Sequence, residues 1–171
     1  MIDLKKEIYL AGGCFWGCQK FFELLEGIIE VKVGYANGNI ENPTYEQVCT
    51  GITGFAEAMQ VIYDSSKVDL NHILEQYYFI IDPTTLNRQG PDKGTQYRTG
   101  IYYTSEEDKT IIDLSLNKLQ KKYANPIVVE NLPLKNFYEA EEYHQNYLDK
   151  NPNGYCHIGQ DKFNYAKNVK I

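Results

Sequence analysis

Glu7-Ile8-Tyr9-Leu10-Ala11-Gly12-Gly13-Cys14-Phe15-Trp16-Gly17-Cys18 is the stretch from which the architecture reads outward. Residues 7–11 form an apolar run of strand length. Beyond them Cys18, Phe21, Phe22 and Leu25 fall at i, i+3, i+4 and i+7, the stripe of an amphipathic helix. The glycine pair between the two patterns opens torsions closed to other residues and lets a ligand approach the backbone. Cys14 is therefore expected at or just before the first helical turn. Unpaired N–H groups and the positive end of the helix dipole favour a thiolate there, so the spacing predicts a nucleophile of lowered pKa. A buried structural cysteine after a glycine turn is the other reading of this segment.

Further elements follow in order. Gly27 reads as a helix stop. Ile29, Val31, Val33 and Tyr35 alternate with polar residues or glycine as a strand does. Asn37-Gly38-Asn39 and Asn42-Pro43 mark a loop before a short helical turn at 45–49. Glu57, Met59, Val61 and Tyr63 share one face of a second alternating run, and Leu70, Ile73, Leu74, Tyr77, Tyr78 and Ile81 form a helical stripe ended by Pro83. A polar loop over 84–96 leads to a strand at 99–103, a helix over 105–123 and a last strand at 127–129. The first six regular elements read β-α-β-β-α-β, the double split order of a ferredoxin-like α+β sandwich. No linker or repeat divides the chain. We expect one catalytic domain over residues 1–171, with an α+β core over 1–130 and an extended, irregular tail over 131–171 wrapped around it. Asn151-Pro152-Asn153-Gly154 is the clearest turn in that tail and delivers Tyr155-Cys156 on a mobile segment.

Composition narrows the class. Seventeen basic residues against 23 acidic ones give a net charge of −6, which disfavours a nucleic-acid surface. No apolar run is long enough to span a bilayer, and residues 1–7 lack a signal-peptide core. Four cysteines in 171 residues do not suggest a secreted disulfide scaffold, so the expectation is a cytoplasmic protein with reduced thiols. Tyrosine is unusually abundant, with 15 copies that can pack or donate hydrogen bonds to a polar substrate atom.

Spacing then tests the chemistry open to Cys14. A cysteine phosphatase would need Arg at position 20 to close its phosphate cradle, and Lys20 stands there. Cys14 and Cys18 have no second Cys or His pair at matching spacing, so zinc is poorly supported. His144 and His157 are candidate bases for a cysteine hydrolase, but His144 shares a helical face with Ala140, Tyr143, Tyr147 and Leu148, as a packed histidine does. Glu57 begins a strand whose same-face neighbours are apolar. Burial raises a carboxyl pKa, and an acid still protonated near neutral pH can protonate a substrate. The same pattern also fits a strand-end glutamate with its oxygens in water. A thiolate, an acid and a pocket of rings together suit a polar S=O group that carries a methyl. Two other classes stay open on residues alone: a cysteine hydrolase or acyltransferase using His144, and a non-catalytic module that binds methionine-containing peptides.

Five segments occur in register: Gly-Gly-Cys-Phe-Trp-Gly (12–17), Asn-Pro-Thr-Tyr-Glu-Gln-Val-Cys-Thr-Gly (42–51), Thr-Gly-Phe-Ala-Glu-Ala (53–58), Gly-Pro-Asp-Lys-Gly-Thr-Gln-Tyr-Arg (90–98) and Asn-Pro-Asn-Gly-Tyr-Cys (151–156). Over nearly its whole length the chain resembles the A-type peptide methionine sulfoxide reductases, which act on the S epimer of oxidised methionine. The resemblance implies that Cys14 is the nucleophile and becomes a sulfenic acid as methionine leaves. Phe15 and Trp16 would hold the substrate's methyl, Glu57 would donate the proton, and the Tyr45 and Tyr97 hydroxyls would bond the sulfoxide oxygen. Asp92 would help bind the substrate's main chain. Cys156 would resolve the sulfenic acid as a disulfide, with reducing equivalents from thioredoxin or dithiothreitol and no other cofactor or metal. The implied partners are methionine-S-sulfoxide, free or in proteins, and thioredoxin, acting on a monomer away from nucleic acid and membrane. Cys18, on the apolar stripe, and Cys49, in a segment expected beneath the site, read as structural. Phe55 and Ile81 stand where the family commonly has histidine, and no cysteine follows Cys156.

Overall fold

The strand read at residues 7–11 is the centre of the sheet. The structure, a computed structural model, describes residues 4–170. In it β1 (Lys5–Gly12) pairs antiparallel with β3 (Ala56–Asp64) on one side and β6 (Thr99–Tyr103) on the other. β2 (Ile28–Ala36) lies outside β3. β7 (Glu130–Pro133) runs parallel to β6 at one edge, and β8 (Phe137–Glu139) antiparallel to β2 at the other, completing a six-stranded sheet of order β7-β6-β1-β3-β2-β8. The period of two sorts its faces. Ile8, Leu10, Val33, Met59 and Val61 meet Phe21 and Phe22 of α1 (Phe15–Glu23) and Ile73, Leu74 and Tyr77 of α3 (Leu70–Phe79) in the main core. Each fully buried ring or branched side chain there contributes about 1.5–3 kcal/mol. The opposite face carries Ala11, Ala36, Ala56 and Ala58 between Tyr9 and Tyr102, closed by Leu134 and Phe137.

Local chemistry sets the element ends. Thr44 and Gln47 form a capping box at α2 (Tyr45–Cys49), Asp69 caps α3 through the His72 amide, and Ser105 caps α4 (Glu106–Gln120) through the Asp108 amide. The loop expected over 84–96 contains a two-stranded hairpin, β4 (Arg88–Gln89) with β5 (Asp92–Lys93), and a 3-10 turn at Thr95–Tyr97.

Two expectations need correction. The strand expected at 127–129 begins instead at Glu130, as β7, and is followed by β8. Residues 127–129 bridge α4 to it, with Ile127 N–H bonded to the Gln120 side chain and Val128 N–H to the Pro83 carbonyl. The described part of the tail, residues 131–170, is also not an irregular wrap. It holds most of β7, all of β8, a 3-10 turn at Glu142–His144, α5 (Tyr147–Lys150) and α6 (Gln160–Asn168). The open edge of β2 offers unpaired backbone groups, and β8 takes them. The Gln145 side chain continues this, accepting from Val33 N–H at 3.1 Å and donating to Val33 O at 2.8 Å. α6 is seated by Phe163 and Ala166, both buried, and by Lys162 Nζ donating to Phe79 O at 2.9 Å.

One buried phenol fixes the floor of the β1–α1 junction. Tyr77 donates to Ala11 O at 2.5 Å and accepts from Gly100 N–H at 3.1 Å, tying α3 to β1 and β6. Tyr77→Phe leaves both backbone groups buried without this partner, so urea denaturation should show a loss of about 1–3 kcal/mol.

Candidate active site

β1 runs straight into the site. Gly13 turns the chain at φ +88°, and a Cβ built on it would stand 2.7 Å from Gln89 Cβ, so glycine is required for torsion and for space. Cys14 then becomes the N-cap of α1, with no side-chain capping bond, and is 7% exposed. The lowered pKa expected from the helix end is not what the folded chain produces. Burial pushes the Cys14 thiol well above its ordinary value, the Glu57 charge adds to this, and the Trp16 amide pulls weakly the other way. The physical reason is that a partial dipole charge does not replace lost water, and the first amide of the helix is directed elsewhere.

That amide goes to Glu57. On β3, Glu57 pairs with Tyr35 of β2, and its carboxyl reaches across to accept Phe15 N–H at 3.3 Å. The residue is 1% exposed, and its second oxygen, Oε2, is buried without a hydrogen-bond partner. Burial raises its pKa from 4.5 to about 8, against the lowering effect of the Phe15 amide and with a further upward push from Asp92. Around neutral pH the carboxyl therefore holds a proton. Tyr45, at the start of α2, and Tyr97, at the end of the 3-10 turn, flank it. Burial raises both phenol pKa values and the Glu57 charge is the next cause in each, while Cys14 also acts on Tyr97. Cys14, Glu57, Tyr45 and Tyr97 thus share one electrostatic neighbourhood.

Rings close the site. Phe15 is buried against Tyr35, with centroids 5.9 Å apart, and the partly buried Trp16 stacks on Tyr147 at 3.7 Å and 10°. Trp16 Nε1–H donates to His144 Nδ1 at 3.1 Å. Glu141 accepts from the Tyr35 hydroxyl at 2.8 Å and from the Tyr45 amide at 3.1 Å, which anchors α2 to the sheet. Burial works against its charge, but hydrogen bonds hold its pKa below the ordinary value. Asp92, on β5, accepts from the Tyr155 hydroxyl at 2.8 Å, which holds the residue beside Cys156. Cys156 itself is partly buried on α1, where a Cβ on Gly17 would meet its Sγ at 2.8 Å. All four cysteines are free thiols. Among the described residues no group of three or more His, Cys, Asp or Glu is placed to hold a metal ion.

The family model described as peptide methionine sulfoxide reductase matches residues 6–170. This chain belongs to that family. It is 59% identical over 156 residues to the peptide methionine sulfoxide reductase MsrA of Clostridium acetobutylicum, covering 91% of this chain and 96% of the relative. Among solved structures, Mxr1 of Saccharomyces cerevisiae in reduced form is 45% identical, with a TM-score of 0.85 over 89% of this chain and 88% of that one. The same yeast protein in an unusual oxidised form, 42% identical, gives 0.67 over 88% and 84%, and in complex with Trx2, 32% identical, 0.61 over 84% and 84%. The chain is a peptide-methionine (S)-S-oxide reductase, an oxidoreductase that works through thiols.

In the reductase Glu57 accepts from the Phe15 amide, its charge acts on Cys14, Tyr45 and Tyr97, Asp92 accepts from Tyr155, and Cys156 lies against Gly17 next to Trp16. Cys18 is core, with its thiol donating to Gly12 O at 3.3 Å. Cys49 is a correction. It is exposed rather than packed beneath the site, because α2 buries Val48 and the next residue of a helix points about 100° away. Phe55 fills an apolar slot, with Gly38 directly beneath its ring and Tyr138 edge-on at 6.0 Å, and Ile81 packs against Gly12. Sequence reasoning missed Glu141, and it read His144 as a packed histidine or a hydrolase base and Tyr147 as its packing neighbour, without their contacts to Trp16. A left-handed Asn146, at φ +53°, breaks the helix that their spacing suggests. The available signal was the indole of Trp16, whose N–H needs an acceptor when partly buried.

Burial of Glu57 has a consequence for stability. The unfolded chain releases this proton near pH 4.5 and the folded chain near 8, so the native state binds more protons between those values and its stability falls as pH rises through them. Glu57→Gln has no proton to lose. Urea denaturation at about pH 5 and about pH 9 should show the variant gaining on the wild type at the higher pH.

Proposed function

We propose that Cys14 is the nucleophile of this reductase and Glu57 its acid, working on a methionine sulfoxide whose methyl sits between Phe15 and Trp16. The observation that carries this reading is the Glu57 carboxyl: buried, with one oxygen on the amide of Phe15, the residue after Cys14, and the other without a hydrogen-bond partner. The sulfoxide oxygen takes that proton and hydrogen bonds from Tyr45 and Tyr97, and Cys14 Sγ attacks the sulfur. A protonated Glu57 also withdraws the negative charge that opposes the thiolate. Oxygen passes to Cys14, leaving methionine and a sulfenic acid. Asp92 binds the substrate's main chain once Tyr155 releases it.

Cys156 then displaces water from the sulfenic acid and forms a disulfide with Cys14. Support comes from its position on α1 at Gly17, one turn along from the residue it must reach. The drop in similarity from the reduced to the oxidised yeast relative supports a chain that changes shape on oxidation. A thioredoxin dithiol returns the disulfide to two thiols, as the yeast relative's complex with Trx2 suggests. We read the reductase as one catalytic domain over 1–171 and as a monomer that needs no prosthetic group. Its cytoplasmic placement rests on thiol chemistry that a reducing compartment sustains. The central strand order β6-β1-β3-β2, with antiparallel neighbours, supports the ferredoxin-like description.

Single-turnover methionine release should decline as pH rises through about 8, where Glu57 loses its proton. Glu57→Gln should lower that rate by about 10²–10⁴-fold, and an unchanged rate removes the residue from the chemistry. Cys156→Ser should keep single-turnover release and lose most thioredoxin-supported turnover. Peptide mapping of wild type oxidised without reductant should give the Cys14–Cys156 bridge; a dominant Cys14–Cys18 or Cys14–Cys49 bridge excludes Cys156 as resolver.

A further inference from the structure

The wall facing Trp16 carries a histidine that takes no part in the chemistry proposed for Cys14 and Glu57. His144 is 1% exposed, and its Nδ1 accepts the indole N–H at 3.1 Å. With Nδ1 an acceptor, the proton of the neutral ring sits on Nε2, which is buried without a partner. The imidazole centroid lies 4.5 Å from that of Tyr45, 5.3 Å from Phe15 and 5.9 Å from Trp16, so one ring bears on three groups of the site. Burial lowers its pKa, against the opposing charges of Glu141 and Glu46, which favours the neutral form the acceptor needs. Tyr147 stacks on the face of the same indole. The segment holding both rings is itself pinned. Gln145 bonds both backbone groups of Val33, and Asn146 N–H bonds the buried Gln19 side chain of α1 at 2.7 Å.

We propose that His144 is a positioning residue for Trp16: its Nδ1 sets the rotation of the indole, and so the shape of the pocket that takes the substrate's methyl. This rests on the reading of Phe15 and Trp16 as that pocket. An ordinary packed histidine would be replaced by any ring of similar volume, whereas a positioning acceptor would not. Phenylalanine keeps the ring and deletes the acceptor. Asparagine loses volume, yet its Oδ1 can stand where Nδ1 stood.

Trp16 is the one tryptophan of the chain, so its fluorescence and its single indole N–H resonance report the contact directly. With a blocked methionine-S-sulfoxide peptide, His144→Phe should raise KM about tenfold, leave kcat within about threefold and shift the emission, the size expected for one lost hydrogen bond. His144→Asn should restore KM to within about threefold of wild type and the emission with it. Wild-type KM and emission in His144→Phe, or equal impairment in both variants, overturns the proposal. Should His144→Phe not fold, wild-type exchange decides: an indole N–H protected from solvent supports the role, and free exchange overturns it. A wild-type emission that ignores bound peptide defeats the pocket reading and this proposal together. A responsive wild type with an unaltered His144→Phe defeats this proposal alone.

Discussion

The burial of the Glu57 carboxyl against the first turn of α1 is the constraint around which the site is arranged. An ionised carboxylate at a helix start is normally favoured, since free amides and the dipole stabilise its charge. Here the helix supplies one long bond, from Phe15, and among the described residues the second oxygen has no hydrogen-bond partner. Loss of water then outweighs the dipole and the group retains its proton. An unpartnered buried polar atom costs about 1–3 kcal/mol, which the apolar packing of β3 against α1 and α3 offsets. The same burial raises the thiol of Cys14. Acid and sulfur are therefore set by one environment, and what changes either changes both.

Besides β3 with Glu57 and α2 with Tyr45, three parts of the chain, far apart in sequence, supply the walls. The β1–α1 turn brings Cys14, Phe15 and Trp16. The segment from β8 to α5, fastened to the edge of β2, brings Glu141, His144 and Tyr147. The hairpin and the turn after it bring Asp92 and Tyr97. The stretch carrying Tyr155 and Cys156 lies between α5 and α6 and touches the hairpin through Asp92 and α1 through Gly17. α6 is held by its own contacts, with Lys20 over the Phe163 ring at 5.0 Å.

Much of the fold was legible because its elements are strongly periodic. β2, β3 and α3 follow alternations of two or of nearly four that few other arrangements satisfy, and β1 is a continuous apolar run of strand length. The tail was not legible, since β8 has only three residues and exists because β2 has an open edge to fill. β7, at the opposite edge of the sheet, has four and depends in the same way on pairing with β6. A short strand carries almost no periodicity of its own. Cys49 was misplaced for a related reason: in a five-residue helix a single step decides between core and solvent.

For the site, the sequence alone determined which residues are candidates for the chemistry. Cys14 after two glycines, the rings that follow it, a glutamate on an apolar strand face and a late cysteine are fixed by residue type and order. Tertiary structure decided how those residues behave. Proton affinity depends on the water removed and on the charges brought near, and both come from segments that sequence spacing does not relate. Hence the thiol expected to be acidic is raised by burial. The carboxyl whose surroundings were open between core and water proves to be buried, and a histidine that looked like simple packing meets the indole.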